Sequence, residues 1–200
     1  TGGPITGQIE AGAASDADGE GQIGRIFAYD GLNGDMVADN GMFYLYSRAD
    51  VSGNVTVTGD LDHLRLYGGD LTGEIAVNAS DAQAGNITSL YLVGGRLADN
   101  ETSGDPLLDV EGNLGRMLLV GYEGEEPVVG GDVEVGGDLG LLRANGTLGG
   151  DIVTQGDINY LGVLNGSIEG NVTAGSNINR LWSSGGASGQ ITADGNIDYL

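Results

Sequence analysis

The chain contains no cysteine, so neither a disulfide framework nor a thiolate metal site can form. Lysine is missing too: all seven basic residues are Arg, set against 29 Asp and Glu, and the net charge is −22. Such a chain has no positive field with which to release counterions from phosphates, so nucleic acid is not expected as a partner. The same charge favours solubility and suits saline surroundings or cations. No run of 18 apolar residues is present, so no membrane insertion by a spanning helix is expected. Helical periodicity never persists for ten residues. The single histidine, His63, has no Cys or Lys to work with and cannot be assigned as a general base. The chain reads as a non-enzyme.

Glycine, by contrast, is abundant: 40 of 200 residues, without the every-third-residue period of collagen. The glycines punctuate a repeat. A first apolar anchor recurs at Ile23, Met42, Leu61, Ile87, Leu114, Leu139, Ile158, Ile178 and Ile197, at intervals of 19, 19, 26, 27, 25, 19, 20 and 19 residues. Three residues after each comes a second apolar residue, from Ile26 to Leu200. The other half of the unit centres on Gly7, Gly34, Gly53, Gly73, Gly131, Gly150, Gly170 and Gly189, each followed two residues later by Ile, Val or Met. A period of this kind marks a repeat architecture. Short apolar runs broken by Gly, Asn and Asp favour strands.

The expected fold is therefore all-β: a parallel β-solenoid or β-helix with coils of about 19–20 residues and loop insertions in the middle coils. Residues 1–200 read as one domain, open at both ends. It comprises a half-coil (1–9), compact coils (23–77), inserted coils (78–136) and compact coils again (137–200). Eight to nine coils at ~4.8 Å give a rod on the order of 40 Å long.

In-register stacking turns repeat positions into columns. Positions three and five after the first anchor are expected inside, and positions two and four outside. The outward columns gather Arg25, Phe27, Tyr44, Tyr46, His63, Arg65, Tyr91, Arg116, Arg143, Tyr160, Arg180, Trp182 and Tyr199. They hold five of the seven arginines and seven of the eleven aromatics. That is the composition of an interface core. Plain cross-strand stabilisation and stacking of sugar rings are the other readings of this face.

Two polar columns follow, one before the first anchor and one after the second glycine. Asn can ladder by amide hydrogen bonds. Adjacent carboxylates repel, by ~1 kcal/mol in water and ~3–4 at an effective dielectric near 20. The pairs Asp138/Asp157 and Asp132/Asp151 are thus candidate cation sites. A further candidate is Asp16-Ala-Asp18-Gly-Glu20, which is similar to the start of an EF-hand or dockerin calcium loop. That likeness implies calcium, although Phe27 stands where the family has its final acidic ligand. No cofactor is required by this reading, and calcium is the candidate. Sequons at Asn54, Asn78, Asn86, Asn100, Asn145, Asn165 and Asn171 are candidate glycosylation points.

The repeat resembles the β-solenoid segments of prokaryotic extracellular fibre, S-layer and adhesin proteins. The resemblance covers about 180 residues and implies a rod-like scaffold on the cell surface or outside the cell. Thr1 is not a start methionine and Leu200 falls in mid-coil, so the chain reads as processed or as a window of a longer one. Ile197 to Leu200 supply the first half of a coil, and Ile5 to Ile9 the second. Head-to-tail self-association into a homopolymer is therefore expected, each copy completing its neighbour's last coil. The alternatives are a segment of a giant surface adhesin, or a carbohydrate-binding or lyase-type β-helix module with glycans as partners.

Overall fold

The computed structural model describes residues 3–11, 22–98, 106–121 and 129–200. Among them there is no helix, and every strand pairing is parallel. One sheet stacks nine short strands in chain order, from Ile9–Ala11 to Ile191–Ala193. The other stacks eight, from Ile23–Ala28 to Leu181–Ser183. Consecutive strands alternate between the sheets, so each turn of the chain contributes one strand to each. A third side is a column of single bridges, running Ile5, Leu32, Val51, Leu71, Leu97, Val129, Leu148, Ile168, Ala187. The coil is three-sided, and the fold is a parallel β-solenoid.

Register follows the repeat. Met42 pairs with Leu61, Leu61 with Ile87 and Leu114 with Leu139, so the first anchors form one column. Met36, Val55 and Ile75 form another on the opposite sheet. Nearly all these side chains are fully buried, and together they make one continuous core along the axis. Each buried Leu, Ile or Val contributes roughly 1.5–3 kcal/mol relative to exposure. Because any one coil leaves its upper and lower rims apolar, the core exists only through stacking.

The first and second anchors are both buried although two residues separate them, as with Met42 and Leu45. The chain bends there, and both intervening residues, Phe43 and Tyr44, face outward. Strict alternation resumes from Leu45: Tyr46 lies outside and Ser47 inside. The buried Ser47 hydroxyl is satisfied: its one proton lies within reach of the Ala49 carbonyl at 2.7 Å and the Ala28 carbonyl at 3.1 Å.

The glycine column has a packing cause. A Cβ at Gly53 would collide with the Gly34 carbonyl, one at Gly73 with that of Gly53, and one at Gly150 with that of Gly131. Backbones of successive coils touch there, leaving no room for a side chain. Two members differ: a Cβ at Gly131 would meet the Leu107 side chain, and one at Gly7 meets nothing within 4 Å.

Candidate functional site: an arginine–aromatic face and its polar ladders

The outward columns of the eight-stranded sheet are in the register the repeat implies. Arg25 pairs with Tyr44 and Tyr44 with His63. Phe27, Tyr46, Arg65 and Tyr91 stack in sequence, and Leu118, Arg143, Gly162 and Trp182 continue the column. Side chains from neighbouring coils touch. Phe27 lies 5.7 Å from Tyr44 and 5.9 Å from Tyr46, centre to centre, and Tyr46 lies 5.7 Å from Tyr67. The Arg25 guanidinium sits 5.1 Å from the centre of Phe43. That of Arg65 lies 5.7 Å from Tyr44 and 5.1 Å from Tyr91. Ring pairs of this kind add about 0.5–1.5 kcal/mol each beyond burial. The face therefore stabilises its own sheet, and it still leaves Phe27, Tyr29 and Trp182 substantially exposed.

Its residues fall into two groups. One is the dense cluster from Arg25 to Arg116. The other, at the C-terminal end, comprises Tyr160, Arg180, Trp182 and Tyr199, which share a recess with Leu200. There Arg180 lies 5.9 Å from the Tyr199 ring centre. Tyr160 stands just before its strand, and its ring lies over Gly162, where a Cβ would run into it. Between the groups the face is aliphatic, with Leu118, Val120 and Leu164 around Arg143. Phe43, Tyr29 and Tyr67 belong to the cluster although positions two and four exclude them. The bend turns Phe43 outward, and Tyr29 and Tyr67 sit at the far end of the alternation.

The polar columns do more than face solvent. Before the first anchor, each side-chain oxygen accepts the backbone N–H of the same position one coil later. The chain runs Asp60 to Asn86, Asn113, Asp138, Asp157, Asn177 and Asn196, at 2.7–2.9 Å. The other column does the same. Asp35 accepts from Asn54, Asn54 from Glu74, Asp132 from Asp151, Asp151 from Asn171 and Asn171 from Gln190, at 2.7–3.1 Å. A third ladder, Asp50 to Asp70 to Arg96, completes the set, and Arg96 also forms an ion pair with Asp70 at 3.1 Å. Corner N–H groups would otherwise lack a partner, so Asp and Asn serve equally here.

Gly41 breaks the first ladder by having no side chain. The gap is filled from the insertion 78–85: the Gln83 side-chain oxygen accepts the Asp60 N–H at 3.1 Å.

These bonds change how the cation candidates read. In both Asp138/Asp157 and Asp132/Asp151 the lower carboxylate holds an N–H of the upper residue, which offsets the repulsion expected between them. Among the described residues no three or more His, Asp or Glu side chains come close enough to share a metal ion. Asp16, Asp18 and Glu20 lie outside the described residues.

The sequons divide likewise. The carboxamide nitrogens of Asn86 and Asn171 donate to Asp60 and Asp151 at 3.1 Å, and that of Asn165 to Asn145 at 2.8 Å. A glycan on any of these three would take one of the two hydrogens of a carboxamide already bonded to the neighbouring coil. Asn54 uses its oxygen in a ladder, Asn78 ends its strand half-buried, and Asn100 lies outside the described residues.

At the ends, Ile5 and Ile9 are half-buried against the core, while Ile197, Tyr199 and Leu200 are exposed. No family model, no curated protein and no solved structure matches this chain.

Proposed function

We propose that the protein is a structural subunit of an extracellular filament or surface layer, built by end-on stacking of solenoid coils and joined laterally through its arginine–aromatic face. The reading rests on one observation above all. A Cβ on each member of the glycine column from Gly34 to Gly73, and from Gly150 to Gly189, would run into the carbonyl of a preceding glycine, whereas a Cβ on Gly7 would meet nothing within 4 Å. In this reading the last coil of a second copy covers that open side of Gly7. The outermost described strands, Ile9–Ala11 and Ile191–Ala193, likewise bond to a neighbour on one side only. An open parallel edge of this kind templates further pairing. End-on contact between unlike ends does not close, and so gives a fibre. The exposed Ile197 and Leu200 would then bury against Ile5 and Ile9 of the next copy.

The test is electron microscopy with sedimentation on the chain and on Gly7→Val. In the single molecule this substitution meets open space; between stacked copies it would meet the Gly189 carbonyl of the preceding subunit. Fibres from the wild type and folded monomers from Gly7→Val are expected. Wild-type monomers at every concentration and salt, or fibres unaffected by Gly7→Val, would refute the reading.

A further inference from the structure

Beside the ring cluster, the eight-stranded sheet carries a shallow recess lined by His63, Arg65, Ser89, Tyr91, Gly115 and Arg116. It exists because Ser89 and Gly115 place little or no side chain on a face otherwise covered by Arg and aromatic groups. Hydrogen bonds hold its walls. His63 Nδ1 lies 2.7 Å from the Ser89 hydroxyl, and Arg116 donates to the Tyr91 hydroxyl at 3.3 Å. Arg65 is fixed by the rings of Tyr44 and Tyr91, and its Nε is buried with no hydrogen-bond partner.

The charges here are out of keeping with the chain. With a net charge of −22, carboxylates are plentiful, yet the one ion pair among the described residues is Arg96–Asp70, elsewhere. Neither Arg65 nor Arg116 has a carboxylate within reach of an ion pair among those residues. Asp62, outside the lining, accepts from the Thr88 hydroxyl at 3.4 Å. Two guanidiniums around one cavity repel each other, and an anion placed between them relieves this. The remaining lining consists of hydroxyls, from Ser89, Thr88 and Tyr91, beside a flat ring and bare backbone at Gly115. Hydroxyls and a ring face suit a polyhydroxylated molecule. The acidic remainder of the surface repels a polyanion far more than a molecule with a single charge.

We propose that this recess binds an acidic sugar, with its carboxylate between Arg65 and Arg116 and its hydroxyls against Ser89, Thr88 and Tyr91. The site is complete within one chain and does not depend on fibre assembly.

Isothermal titration of the full chain at low salt tests this with four probes: glucuronate, a glucuronate-terminated oligosaccharide, glucose and acetate. Saturable one-to-one binding of glucuronate is expected, with glucose and acetate weaker by about tenfold or more. The oligosaccharide binding more tightly than the monosaccharide identifies a glycan end as the source; equal binding identifies the free sugar. Arg116→Gln should weaken glucuronate by about tenfold while the thermal melt stays in place. Should that variant fail to fold, Thr88→Val at its exposed position takes its place, with a several-fold loss expected. Absence of saturation with glucuronate, acetate binding equally well, or folded variants that bind unchanged would each overturn the proposal.

Discussion

Substituting Gly150 by Ala places one methyl group where two coils touch. The added Cβ would overlap the Gly131 carbonyl, which is backbone and cannot rotate aside. Either the coils part locally or the corner shifts. The neighbouring hydrogen bonds, from Gly149 N–H and Gly150 N–H to the Val129 carbonyl at 2.7 and 3.0 Å, lie in the path of that movement. Overpacking of this kind costs about 1–3 kcal/mol, and weakening two bonds of about 1 kcal/mol each adds to it. A loss of about 3–5 kcal/mol is therefore expected. For a chain of this length each kcal/mol lowers Tm by roughly 2–4 °C. Gly7→Ala is the control: the same substitution in the same column, with nothing within 4 Å to meet. Urea denaturation followed by circular dichroism, at low salt and protein concentration, compares the two. Gly7→Ala should lie within about 0.5 kcal/mol of the wild type. If Gly150→Ala does so as well, the close approach of coils is not what excludes side chains from this column.

The ladders make a second prediction. The Asp157 carboxylate accepts from both the backbone and the side-chain nitrogen of Asn177, at 2.8 and 2.9 Å. Asp157→Ala should cost about 1–2 kcal/mol in urea denaturation, whereas Asp157→Asn, which keeps an acceptor, should stay close to the wild type. A matching loss in both variants would mean that charge rather than acceptance is what matters. Third, Gln83→Ala removes the acceptor that substitutes for a side chain at Gly41 and should cost about 1 kcal/mol. Hydrogen exchange reads it locally: the Asp60 amide should lose protection while the Asn113 amide keeps its own.

Much of this molecule is visible before any coordinates. Parallel in-register stacking converts a position in the repeat into a position in space. For that reason the columns Arg25–Tyr44–His63 and Phe27–Tyr46–Arg65–Tyr91 could be written from spacing alone. Phe43 is not legible in the same way, because strict alternation has no place for two outward residues in succession. Spacing sets the Asp pairs side chain against side chain; it does not show that the lower carboxylate of each reaches the next coil's N–H. The role of Gln83 depends on how an eight-residue insertion folds back onto Gly41, a contact that no periodicity encodes. The recess is equally hidden. It depends on what is missing at Ser89 and Gly115, and on Arg65 being held by two rings with no ion pair to a carboxylate among the described residues.

The sequence by itself determined the solenoid, its coil length and its register, because each follows from which residues are apolar and how often they recur. Tertiary structure decided the rest. Gly7 and Gly150 occupy the same repeat position, and only stacking makes a Cβ collide at Gly150 and meet open space at Gly7. Asp138 and Asn113 differ in charge and perform one task, because a backbone N–H 2.7–2.8 Å away asks only for an oxygen. Contacts between coils depend on distances that recur from repeat to repeat, whereas the recess at Ser89 and Gly115 and the Gln83 contact arise where a coil departs from the repeat.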